Sequence, residues 1–111
     1  MYKVLKTNKV INKLDYFIES FLNSFLVLFE DSGIQDVDII KNNYIKISKD
    51  FKNNILSKFR ILEEEKLFWY KNIDNKIQIS FIIWNYRFFI YFTEDDISKI
   101  RVIEDIEIFK K

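Results

Sequence analysis

The spacing of apolar residues changes once along this chain, and that change limits the possible folds more than any other feature. From Ile11 to Leu62 apolar residues recur at steps of three and four; from Leu67 onward they recur at steps of two. The first period lines one stripe of a helix, the second one face of a strand. Helices followed by strands, with no helix between successive strands, predict an α+β fold: two N-terminal amphipathic helices packed on a three- to four-stranded antiparallel sheet. No Pro/Gly-rich or low-complexity boundary divides residues 1–111, so a single domain with one core is expected.

The opening YKVLK (Tyr2 to Lys6) reads as a short strand, after which Thr7 or Asn8 can cap a helix. Ile11, Leu14, Phe17, Ile18, Phe21, Leu22, Phe25 and Phe29 form its stripe, and the helix should end near Glu30 to Ser32, with Gly33 taking the left-handed conformation. Val37, Ile40, Tyr44, Ile47, Phe51, Ile55, Phe59 and Leu62 share one face of a second helix roughly 40 Å long. The rival for residues 34–48 is a hairpin of VDII and YIKIS, which their β-branched residues also suit. The helix is preferred because eight positions fit its face.

Leu67 to Ile73, Lys76 to Trp84 and Arg87 to Thr93 read as successive strands, with turns at Asp74-Asn75 and Asn85-Tyr86. The acids Glu94, Asp95 and Asp96 suit the first turn of a short helix. A last strand then carries Ile100, Val102, Ile106 and Ile108 on one side, with Asp105 and Glu107 outward. Folding the hairpin about Asn85-Tyr86 sets Trp84 opposite Arg87, Ile82 opposite Phe89 and Ser80 opposite Tyr91. Its other face is wholly apolar and must be core, because a one-residue slip would bury every polar side chain. The second face is mixed, and Ile82, Trp84, Arg87, Phe89 and Tyr91 are its candidate partner-binding residues. Trp, Tyr and Arg dominate interface hot spots because they bury large area while keeping a directional contact. Cover by a helix, the end strand or a second copy of the chain is the competing explanation of that face.

Much familiar chemistry is missing. Without His or Cys the usual nucleophile systems and zinc ligand sets cannot be assembled, and one Gly cannot build a glycine-rich phosphate loop. Carboxylates cluster at Glu63 to Glu65, Glu94 to Asp96 and Glu104 to Glu107, and are expected to be solvated ends and edges rather than a metal or acid–base site. No catalytic residue, cofactor or metal is therefore assigned. The 20 Ile, 15 Lys, 12 Phe and 10 Asn, with no Ala or Pro, fit an AT-rich genome, so part of the aromatic content reflects base composition.

A formal net charge of +1 gives no global attraction to nucleic acid or to an anionic membrane. No apolar run is long and uninterrupted enough to span a bilayer, and the charged start lacks a signal-peptide pattern, so a cytoplasmic protein is expected. Lys46, Lys49, Lys52 and Arg60 would form a basic outer face on the second helix, able to neutralise phosphates or simply to be solvated. The order strand, two helices, antiparallel meander resembles that of RelE/ParE-like toxins. So do the step Tyr86-Arg87 followed by Phe88-Phe89-Ile90-Tyr91 and the late Phe109-Lys110-Lys111. The resemblance implies a nucleic-acid-binding or RNA-cleaving protein using Arg, Lys and Tyr. The function expected here is instead a non-catalytic protein-binding module that inhibits a partner protein, of the toxin-immunity, antitoxin or phage counter-defence type.

Overall fold

A computed structural model describes residues 1–31, 33 and 36–110. The chain runs β1 (Lys3–Lys6), α1 (Asn8–Asp31), α2 (Val37–Phe59), a 3₁₀ turn (Arg60–Glu63), β2 (Lys71–Ile73), β3 (Lys76–Ile83), β4 (Tyr86–Asp95) and β5 (Ile100–Lys110). The fold is α+β, but two features depart from expectation. The sheet has five strands in the order β1-β5-β4-β3-β2, and it is mixed, because β1 pairs parallel to β5. The short strand expected at Tyr2 to Lys6 is present as β1 and is built into this sheet, so the helices are not the N-terminal elements of the fold. Because the strands do not begin at Leu67, β2 shrinks to three residues and Leu67 to Tyr70 form an irregular approach to it.

Thr7 caps α1, its Oγ1 accepting from the Val10 amide at 3.4 Å. Gly33 has φ of 77°, a left-handed conformation open to a residue without Cβ. Residues 37–59 are helical, which removes the hairpin alternative; Asp36 caps this helix by accepting from the amides of Asp38 and Ile39 at 3.0 and 3.3 Å. Ser32 and the side chains of Phe29 and Val37 lie outside what is described.

The core lies between the helices and one sheet face. Val10, Leu14, Phe51, Ile55, Phe59 and Leu62 meet Ile79, Phe81, Ile83, Phe88, Ile90, Phe92, Ile103 and Ile106. Among the described residues between 23 and 50 none is buried, so the loop-side halves of both helices project as an arm. The dimensions reflect this: extents are 56 × 25 × 24 Å, and the radius of gyration is 16.7 Å, against about 13 Å for a compact chain of this length.

The β3–β4 register differs from expectation by one turn position. Ile83 pairs with Tyr86, Ile82 with Arg87, Ser80 with Phe89 and Gln78 with Tyr91, so the turn is Trp84-Asn85 rather than Asn85-Tyr86. The expected pairing of Trp84 with Arg87 is not formed. Trp84 has φ of 51°, unusual for a bulky residue. Its ring then packs 4.8 Å from Phe51 and 5.4 Å from Phe21, and those contacts offset the backbone cost. The division into an apolar and a mixed face survives, because moving the turn by one residue shifts partners by two.

In β5 an irregularity lies between Ile103 and Asp105, where Tyr91 pairs with Asp105 but Phe92 pairs with Ile103. One extra residue, Glu104, switches the alternation. Beyond it Ile106 faces the core; before it Arg101 and Ile103 are buried, not Ile100 and Val102. The expected helix at Glu94 is absent: β4 continues to Asp95, whose carboxylate accepts from the Ile97 and Ser98 amides and closes a turn.

Candidate functional site

Both helices pack on the same side of the sheet, and among the described residues no element covers the other side. On that open face Ile82 is 41% exposed and Phe109 52% exposed. Arg87 is exposed, while Phe89 and Tyr91 are half-buried by their neighbours in the sheet. Phe109 lies opposite Arg87, and its ring sits 5.8 Å from that of Phe89, edge to face. The Tyr91 hydroxyl accepts from Gln78 Nε2 at 2.9 Å. A hydrogen bond to Glu107 and partial burial push the Tyr91 phenol above its ordinary value, with Gln78 pulling the other way. Ile82, Arg87, Phe89 and Tyr91 are thus brought together as one surface, joined by Phe109 and Glu107. Trp84 is not part of it, since its ring turns to the helix side.

Phe109 and Glu107 escaped sequence reasoning because nothing local specifies which strand lies beside β4. The aromatic run Phe68-Trp69-Tyr70, expected as part of a strand, lies outside the strands and is exposed beside the outer edge of β3. Together with Leu67 it borders a cavity of about 320 Å³ whose other wall is Ile79 to Phe81.

Arg101 is buried, and each of its donor groups is engaged. Nε and Nη2 meet Glu94 at 2.9 and 2.8 Å, and Nη1 donates to the carbonyls of Leu62 and Glu64 at 2.8 and 2.6 Å. The guanidinium stacks 3.8 Å over the Tyr2 ring, whose hydroxyl donates to Asp96 at 2.5 Å. That hydrogen bond and burial hold the Tyr2 phenol far above its ordinary range. A cavity of about 620 Å³ opens beside Glu94 and Arg101, but this guanidinium is committed to holding the chain after α2 on the sheet.

The carboxylate clusters are likewise employed. Glu94 binds Arg101, Asp95 closes its turn, Glu104 accepts from Thr93, and Asp105 accepts from Lys9 and Lys13 at 3.1 and 2.6 Å. Among the described residues no three carboxylates converge as a metal site.

Lys46, Lys49, Lys52 and Arg60 are all exposed, without an ion pair among the described residues. Tyr86 contacts Phe17 and Phe21 on the helix side while Arg87 faces the opposite way, so the Tyr-Arg step cannot serve one site. Lys111 lies outside the described residues. No described helix is long and apolar enough to cross a membrane. Comparison with known proteins finds no matching family, no matching curated protein and no matching solved structure.

Proposed function

We propose that this chain is a non-catalytic binding module that occupies a partner protein through the open face of its sheet, as an inhibitor of the immunity, antitoxin or counter-defence kind. One observation carries the proposal: Ile82 and Phe109 flank Arg87 across the strands, with Phe89 and then Tyr91 following it along β4, on a face that no described element covers. Aromatic and aliphatic area around a cation is the composition that binding hot spots favour. The test pairs Phe89→Ser and Tyr91→Ser with affinity capture from cells that encode the chain. Both variants should keep the wild-type fold and lose the captured protein; retention of that protein by both overturns the proposal.

A nucleic-acid role is the rival. In its favour are the four cations Lys46, Lys49, Lys52 and Arg60, solvent-exposed along α2 and the turn after it. Titration into labelled RNA at two salt concentrations tests it, because phosphate-driven affinity falls steeply with salt.

A further inference from the structure

The outer side of β3 carries a partner strand only over Lys76 to Gln78, where β2 pairs with it. Beyond that point no described strand pairs with this edge. The two-residue turn makes Ile83 and Tyr86 a pair that exchanges both backbone hydrogen bonds, so alternate residues of β3 direct their amide and carbonyl groups outward. Those residues are Ser80 and Ile82. One direct observation agrees: the Trp69 indole donates to the Ser80 carbonyl at 3.3 Å, as a strand amide would. The Ser80 amide and both backbone groups of Ile82 remain without a partner strand. Such a row is satisfied by the backbone of another extended segment.

The surroundings state what that segment should carry. The cavity of about 320 Å³ between Leu67, Phe68 and Phe81 takes apolar side chains of one parity, and Ile82 meets the other parity on the open face. Lys66 lines the cavity, Lys71 stands opposite Gln78, and Arg87 stands opposite Ile82. None of these three cations has an ion pair among the described residues, and Glu64 is the one acid among the cavity's described lining. We infer that the β3 edge takes up an extended segment of a partner protein, acidic and apolar in alternation, as an added strand. The inference rests on the protein-binding reading and supplies its mode of attachment.

The test uses a fluorescein-labelled peptide alternating valine and glutamate, with the whole chain, followed by fluorescence polarisation. Binding at low salt is expected, weaker as salt rises. A lysine version and a proline-interrupted version should each bind roughly tenfold more weakly. Ile82→Pro removes an outward amide without touching the β4 ladder and should cause a similar loss. If that variant misfolds, the peptide series on the wild-type chain still decides. Equal binding of the proline and unbroken peptides, or no binding of the valine–glutamate peptide, overturns the inference. Self-association abolished by Ile82→Pro would also overturn it, in favour of a second copy. If Phe89→Ser and Tyr91→Ser lose the captured protein while a folded Ile82→Pro keeps it, strand addition falls and the protein-binding reading stands.

Discussion

Just past its partner strand, the β5 margin of the sheet meets charged side chains at Ile106; just past its own, the β3 margin meets one indole at Ser80. On the β5 side, β1 pairs with Ile100 to Ile103. Past that segment, the Asp105 carboxylate takes the Ile106 amide at 2.8 Å, and Lys13 takes the Ile106 carbonyl at 3.1 Å. Lys9 and Lys13 hold Asp105 in place. Exposed strand edges invite pairing with other chains, and charged residues turned onto the backbone prevent it. On the β3 side a three-residue strand and the Trp69 indole are all that answer the same need. One margin meets charged side chains at Ile106 and the other an indole at Ser80, so the two edges differ in chemistry at the point where their partner strands stop.

The largest effect is expected where the β5 side is anchored. Arg101→Ala should cost about 3 kcal/mol, because it empties a buried side-chain site and leaves the Leu62 carbonyl buried without its donor; denaturant unfolding measures it. At the turn that ends β3, Trp84→Ala should cost about 2 kcal/mol through lost contact with Phe21 and Phe51. Trp84→Gly should cost about 1 kcal/mol less than the alanine, since glycine accepts the positive φ. An equal loss in the two variants would mean that the turn stores no strain.

Asp105→Asn should remove about 1 kcal/mol and make the β5 margin pairing-prone, seen as concentration-dependent sedimentation. Its pH signature has a definite sign. Burial pushes the Asp105 carboxyl up, but hydrogen bonds from Lys13, Lys9 and the Ile106 amide outweigh it and hold the group below its ordinary 3.8. A depressed carboxylate stabilises the fold above that ordinary value, and its contribution fades as pH falls through the folded value. Acid unfolding of Asp105→Asn should be correspondingly shallower than wild type. Smallest of all, Ile82→Lys should change stability by no more than about 0.5 kcal/mol, because it adds charge to an exposed edge. A large loss there would show that the β3 margin is not open.

Periodicity made both helices legible, together with the faces of β3 and β4, since the apolar positions of each must choose a side and only one choice buries them. Of the positions so assigned, Leu14, Leu22, Phe51, Ile55, Phe59 and Leu62 on the helices and Ile79, Phe81, Ile83, Phe88, Ile90 and Phe92 on the strands are buried. The turn was misplaced because a tryptophan at positive φ contradicts local preference, and its compensation lies in two helices far away in the chain. Glu104 hid the phase of the last strand: a residue that adds one to the count looks like any other acid. The parallel pairing of β1 with β5 joins segments almost the whole chain apart, beyond any local pattern. The candidate surface was legible as parity on β3 and β4, while Phe109 and the edge beside Trp69 depended on tertiary neighbours.

The projecting arm sets how the molecule behaves as a body. A particle more than twice as long as it is wide rotates as a short rod, with its sheet concentrated toward one end. The described helical turns at residues 23–28 and 38–50 hold no buried residue, so they should open and exchange amide hydrogens long before the strands do. A cargo gripped at the sheet would thus travel on the rigid end of a tool whose handle breathes.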